Sequence, residues 1–525
     1  MPLACVQGVV IVGVQGIVVR VEVAVSDGLP SVGVVGLPDA SVAESRWRAR
    51  CAVEASGRKW PNRRITVSLS PAEVRKHGAG LDLPMAIGIL AADGAFPPAA
   101  IASTALIGEL GLDGRVRPSR GMLAAVLAAR QAGLERVIVA SRGTAELEAV
   151  SGISIVRAHT LHHVCAVLEG GVVDDEPAPG DGDDTMDGAD GTPHDDDREA
   201  VGSSAALDLA DVRGHLLPRW AVEVAAAGGH HLAMVGPPGV GKTLLVERLP
   251  GLLPPLSDDD SLEVAAIHSV AGLPRSMREI PVPPLSAPHH SASASSLLGS
   301  VHGGRVLPGA VTMAHRGVLL LDEAPEFARP VLEGLRQPLE SGVVSVNRTS
   351  WSGLLPARFQ LAITANPCPC GKRIGTGAGC SCSPSAVRRY AARLSGPLMD
   401  RIDIRLAVNR PSVGELDSAE PSESSATVRA RVQSARERMS HRLASTPWRV
   451  NAQVPAGELR RRWPLRSDGA DLLAEIERGS ENLRGVDRVL RVSWTLADLR
   501  KIDAPGRDEV AGALALRGAH AGLAS

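Results

Sequence analysis

The stretch HLAMVGPPGVGKTLLVERL admits few folds. Four apolar residues, Leu232 to Val235, read as a buried strand. They run straight into Gly236, Pro237, Pro238, Gly239, Val240, Gly241, Lys242 and Thr243, and then into a helical pattern. Glycines at GxxxxGKT spacing let backbone N–H groups curl around phosphate oxygens, and the helix N-terminus adds partial positive charge. Lys242 is expected to reach the β- and γ-phosphates of a nucleotide, and the Thr243 hydroxyl to ligate Mg²⁺. A chance glycine-rich turn would not need a strand before it and a helix after it.

Further along, GVLLLDEAPEF carries an unbroken apolar run, Val318 to Leu321, of the kind a parallel sheet buries on both faces. Asp322 at its carboxyl end is expected to hold Mg²⁺ through water, and Glu323 to polarise an attacking water. A third strand, FQLAITANP, ends in Asn366, which is expected to orient the same water. An Asn before Pro is otherwise an ordinary turn residue. Between these two strands, VVSVNRTSWSGLLP reads as a hairpin with a basic tip at Arg348.

At 525 residues the chain is too long for one core, and 44% hydrophobic content can fill several. Residues 1–170 alternate β-like and helical runs, as do residues 205–410. From 411 onward a loop-like stretch leads into helical patterns at 426–443, 468–478 and 482–502. Residues 171–204 turn abruptly to Asp, Gly and Pro and read as an acidic, disordered linker. Residues 174–199 alone hold 12 acidic residues and one basic residue; without them the balance is 55 basic to 46 acidic, or +9. A mildly basic body permits a polyanionic partner without demanding one. The basic run with Arg429, Arg431, Arg436, Arg438 and Arg442 reads as a solvated helix face rather than a DNA contact. The apolar N-terminus lacks a basic leader and is interrupted by Gln7 and Gln15, so it reads as strands; no membrane segment and a cytoplasmic, reducing location are expected.

Several of these motifs, with LADVRGH, SAPHHSASASSLLG and RLSGPLMDRIDI, resemble the AAA+ ATPases, and more closely the magnesium-chelatase-like YifB/ComM family. The resemblance spans nearly the whole chain. It implies an ATP- and Mg²⁺-dependent ring, a homo-hexamer, with a helical lid formed by residues 411–525. It places the arginine that completes a neighbour's site at Arg401, and the lid's γ-phosphate sensor at Arg484, with Arg488 and Arg491 as fallbacks. For each arginine a plain surface salt bridge is the alternative. In the related minichromosome-maintenance helicases a hairpin at the corresponding position points into the pore, which would set Arg348 against a DNA backbone with salt-sensitive, sequence-independent affinity. Trp351 either stacks on a base or, preferably, packs the hairpin. Residues 1–170 resemble the proteolytic domain of Lon proteases, but Gly80 falls at the serine position and Leu123 at the lysine position, so interaction or ring assembly is expected in place of proteolysis. The implied fold class is thus α/β: a Lon-protease-like N-terminal α/β domain, an AAA+ P-loop α/β core and a C-terminal helical lid. The first functional reading is a helicase or branch-migration motor on DNA. A chelatase-type ATPase driving metal insertion, and a chaperone-like remodeller of a protein partner docked on residues 1–170, stay open.

Cys368, Cys370, Cys380 and Cys382 form two C-x-C pairs nine residues apart. Four thiolates suit a structural Zn²⁺; four reduced, unliganded cysteines are the alternative. Cys5, Cys51 and Cys165 are scattered and expected to be buried. His289 and His290 lack a third metal ligand nearby and are expected to be a loop near the pore.

Overall fold

A computed structural model describes residues 3–37, 39–76, 78–171, 207–302, 305–348, 351–373, 379–394, 396–416, 422–479 and 483–518. Of the expected acidic linker, residues 172–204 lie outside the described residues.

The N-terminal unit is built on a seven-stranded mixed sheet: β1 Leu3–Val12, β2 Gln15–Ser26, β3 Ser31–Val35, β4 Arg64–Ser70, β5 Thr104–Ile107, β6 Arg136–Ala140 and β7 Ser154–Ala158, in the order β3-β4-β2-β1-β5-β6-β7. The alternation along VRVEVAV explains β2: Val19, Val21, Val23 and Val25 are fully buried, while Arg20 and Glu22 sit on the other face. β1 and β2 are joined by a two-residue turn between Val12 and Gln15, with Gly13 at φ 66. Helices Asp82–Ala92 and Met122–Gln131 are almost wholly apolar and buried. Aliphatic residues do this work, since aromatics make up only 2% of the chain.

The second sheet contains β8 Leu232–Val235, β9 Leu285–Ser286, β10 Val318–Leu321, β13 Gln360–Ala365 and β14 Ile404–Ala407, all parallel, in the order β9-β10-β13-β8-β14. Every residue of β8, β10 and β13 is buried, as a sheet covered on both faces requires. Period-2 alternation splits them between two cores. Ala233, Val235, Leu319 and Leu321 join the core shared with the N-terminal unit; Leu232, Met234, Val318 and Leu320 join the core beneath the C-terminal helices. The N-terminal unit is also fastened by polar contacts: Gly121 N–H donates to the Ser269 carbonyl at 3.1 Å, and the Ser269 hydroxyl to buried Glu146 at 2.6 Å.

Strands β11 Val343–Arg348 and β12 Trp351–Pro356 pair antiparallel, from Val343 opposite Pro356 to Arg348 opposite Trp351. The expected hairpin is therefore present, and Arg348 closes its first strand.

The C-terminal part contains helices Ser425–Leu443, Ser467–Gly479 and Leu483–Leu499, where three helical patterns stand in the sequence. Helices Ala456–Arg462 and Arg507–Ala515 are additional. AGELRRR is too short and too charged to show a helical period by itself. The arginine-rich helix corrects an expectation. Arg431 pairs with Glu223 at 2.6 Å and with Glu423, Arg436 donates to the Ala226 carbonyl at 2.6 Å, and Arg442 pairs with buried Asp498 at 2.5 Å. Arg429 and Arg438 reach the carbonyls of Gly251 and Ile502. These side chains join the helix to its surroundings instead of forming a solvated face. Among the described residues no helix is long and apolar enough to cross a membrane.

Candidate nucleotide site

Strand order makes the site. β13 lies between β10 and β8, so the three carboxyl ends stand side by side. From β8 the chain turns through Gly239 (φ 74) and Gly241 (φ 85) into helix Lys242–Glu247. Left-handed backbone at both positions favours glycine. Gly236 is required for another reason: a Cβ there would lie 2.0 Å from the Val408 carbonyl oxygen. Lys242 is buried, and its ammonium donates to the carbonyls of Gly236 (2.8 Å) and Pro237 (2.9 Å). Burial lowers its pKa, against the pull of Asp322 and Glu323.

The Thr243 hydroxyl donates to Asp322 at 2.8 Å. Thr364, one strand over, also donates to Asp322 and accepts the Glu323 N–H at 3.1 Å. Glu323 itself has left-handed backbone (φ 50), which turns its side chain out of the strand line. Asn366 spans the gap: its amide donates to Glu323 at 3.2 Å, and its oxygen stands 3.4 Å from the Lys242 ammonium. The structure thus brings together Lys242, Thr243, Asp322, Glu323 and Asn366.

The sequence pattern described as "Magnesium chelatase, subunit ChlI" matches residues 208–416. "Subunit ChlI of Mg-chelatase" matches 21–143, and "Magnesium chelatase, subunit ChlI C-terminal" matches 422–517. An uncharacterized protein of Mycobacterium tuberculosis is 45% identical over 507 residues, 96% of each chain. The uncharacterized protein YifB of Escherichia coli is 38% identical over 96% of this chain and 95% of its own. The competence protein ComM of Haemophilus influenzae is 37% identical over 95% of this chain and 94% of its own. The chain belongs to the YifB/ComM family of magnesium-chelatase-like AAA+ proteins.

Arg401, where the family resemblance sets a finger, pairs within its own chain with Glu340 and donates to the Pro397 carbonyl. Burial lowers its pKa, and the charges of Arg336, Arg484 and Arg488 lower it further. Arg484 pairs with Asp400 at 3.3 Å and is 73% exposed. Arg488 is held by Asp403 (3.0 Å) and the Asp400 carbonyl (3.0 Å), and Arg491 donates to the Val454 carbonyl at 2.7 Å. Of these three C-terminal arginines, Arg484 is the one most open to solvent.

Two features escaped the sequence reading. Thr364 had no motif to mark it. His215, buried against the phosphate loop and left-handed at φ 56, opens helix Leu216–Gly228. Leu216 and Leu217 follow it exposed, as are Leu244 and, beyond Pro411, Val413. The apolar pair after Gly214 in GHLLPR was the available signal.

The four clustered cysteines place their sulfurs within 4.8 Å of one another. Among the described residues they are the one group of three or more His, Cys, Asp or Glu side chains with metal-binding geometry. The His289 and His290 rings lie 4.0 Å apart and tilted by 39°, with His289 hydrogen-bonded to Ser291. Cys165 is buried as expected; Cys5 and Cys51 are only partly so. Gly80 lies in the turn Ala79–Leu81, and Leu123 is fully buried in its helix.

Proposed function

We propose that this protein is an ATP-hydrolysing ring motor that acts on DNA, of the helicase or branch-migration type. The observation that carries the reading is Asn366 held between Lys242 and Glu323 at the carboxyl edge of the parallel sheet. In this reading the backbone from Gly236 to Gly241 cradles the phosphates, and Lys242 exchanges its two carbonyl partners for phosphate oxygens. Thr243 and Asp322, already 2.8 Å apart, are the residues that would hold Mg²⁺, which when bound neutralises developing phosphate charge. Glu323 polarises the attacking water, and Asn366 fixes the carboxylate that does so. The exposed rim of Leu216, Leu217 and Val413 beside His215 offers apolar contact for the base.

Arg401 serves the neighbouring protomer's nucleotide in a homo-hexamer, and Arg484 serves as the lid sensor. Residues 1–170 form a Lon-like domain without the Ser/Lys dyad, used for ring assembly or partner docking. Residues 171–204 link it to the ATPase core at 205–410 and the lid at 411–525. DNA is favoured as the polymer by the Arg348 hairpin and by a relative named for competence. The match to chelatase subunits supports a second reading, an ATPase that drives metal insertion.

ATP turnover of the purified protein, alone and with single-stranded or forked DNA, tests the proposal. DNA should raise turnover several-fold. Stimulation by chelatase partner subunits and not by DNA would favour the second reading; stimulation by a protein client alone would point to a remodeller. Turnover no faster than that of Lys242→Ala would overturn the motor.

A further inference from the structure

The cysteine cluster begins two residues after Asn366. Cys368 is fully buried, and its sulfur lies 3.4 Å from that of Cys370 and 3.6 Å from that of Cys380; Cys370 and Cys380 are also 3.6 Å apart. Zn–S bonds of about 2.3 Å in a tetrahedron set sulfurs about 3.8 Å apart. A disulfide would need about 2.05 Å. The spacing of these three sulfurs is therefore that of thiolates around one ion, and the Cys382 sulfur lies within 4.8 Å of each. The Cys380 sulfur accepts the backbone N–H of Cys382 at 3.4 Å, as metal thiolates do. Lys372 and Arg373 follow Gly371 and set two positive charges in sequence beside a centre whose four thiolates would carry surplus negative charge.

The cluster also touches the nucleotide site. Gly371 folds back on the Cys368 carbonyl through a 2.9 Å hydrogen bond at φ 72. It packs so tightly on Pro238 of the phosphate loop that a Cβ would sit 2.6 Å from the Pro238 Cδ. Cys368 and Gly371 thus bracket a turn whose outer face is the phosphate loop.

We infer that Cys368, Cys370, Cys380 and Cys382 hold one structural Zn²⁺ ion, and that this ion fastens the turn after Asn366 against Pro238, so that loss of the metal loosens the phosphate loop. The second half rests on the assignment of residues 236–243 as the nucleotide site. A metal that fixes a ligand loop stabilises whatever packs on it, because its bonds tie the two C-x-C pairs to one point.

The test uses the full chain, purified without a metal-affinity tag. Elemental analysis should find about one zinc per chain, with no visible absorption from iron. Stripping the metal with a thiol reagent and chelator should raise amide hydrogen exchange across residues 236–241 by at least about tenfold, with zinc restoring protection. Cys370→Ser with Cys380→Ser should reproduce the stripped state. Gly371→Ala should keep zinc yet lose the protection, which separates the metal from the contact. Substoichiometric zinc in the wild type, or an iron chromophore, overturns the site. Zinc loss with unchanged exchange at residues 236–241 overturns the clamp. Because neither readout needs nucleotide, zinc-dependent protection in a protein that fails to bind ATP would sink the ATPase reading and leave this inference standing.

Discussion

The Asn366 amide donates to the Glu323 carboxylate across 3.2 Å, from one strand of the sheet to the next. The contact fixes a carboxylate that otherwise projects, exposed, from a strained left-handed turn. Asn366→Ala should lower the turnover number on the order of 100-fold and leave nucleotide affinity nearly unchanged, since the bond serves the water and not the phosphates. Steady-state kinetics beside equilibrium binding checks this. A loss that falls on binding instead would give Asn366 a different role.

Arg401 is occupied by Glu340 of its own chain, and Glu340 lies in the last turn of the helix Arg336–Ser341 that leads into the hairpin. A finger in this position must exchange that carboxylate for a neighbour's phosphate. Arg401→Ala should cut turnover on the order of 1,000-fold while each chain still binds nucleotide. Mixing it with Lys242→Ala protein should restore part of the activity, because each lacks what the other supplies. No restoration would place Arg401 in service of its own chain.

Arg348 closes β11, opposite Trp351. Arg348→Ala should weaken DNA binding equally across sequences and reduce the slope of log affinity against log salt by about one. Basal ATP hydrolysis without DNA should hold. Anisotropy titrations at several salt concentrations decide it; an unaltered slope removes the hairpin from the DNA path.

Asp403, 2% exposed, holds Arg488 at 3.0 Å and His230 at 2.9 Å, and His230 in turn meets Thr495 at 2.7 Å. This network fastens helix Leu483–Leu499 of the C-terminal helical region to the edge strand of the second sheet. Asp403→Ala leaves a largely buried guanidinium without its carboxylate, at about 3–5 kcal/mol. Differential scanning should show a markedly lower transition for the part containing the lid. An unmoved transition would mean that the network is dispensable.

His268 is buried, its Nε2 3.0 Å from the Met313 carbonyl, and burial with nearby Arg275 pushes its pKa down to about 4. The unfolded chain takes up this proton first, near pH 6.5. Stability is therefore whole above about pH 6.5 and lost as pH falls from there toward about 4, by up to about 1.4 kcal/mol per pH unit. Urea midpoints should fall across that window, and His268→Gln should flatten the fall. An identical pH dependence in the variant would assign the acid sensitivity elsewhere.

Much of the candidate nucleotide site was legible because its signals are local. Leu232–Val235 and Val318–Leu321 are unbroken apolar runs with polar chemistry at their ends, and the strands have those boundaries. Glycine spacing, a carboxylate pair and two C-x-C pairs need no partner to be seen. The arginines of helix Ser425–Leu443 were misread for the opposite reason. A solvated face and a row of arginines tied to neighbouring carboxylates and carbonyls look alike until Glu223, Asp498 and the Ala226 carbonyl come alongside. Thr364 was invisible because its role depends on two neighbouring strands, not on its own.

By itself the sequence singled out the residues proposed to carry the chemistry: the glycine loop, Lys242, the Asp322–Glu323 pair, Asn366 and the four cysteines. Tertiary structure alone decided who meets whom. It set β13 between β10 and β8, so that Asn366 could bridge Lys242 and Glu323; it pressed Gly371 onto Pro238, and it gave Arg401 to Glu340. The division follows from range. Backbone propensity and side-chain period act over a few residues, while burial and charge pairing depend on elements that are distant in sequence and adjacent only once the sheet is ordered.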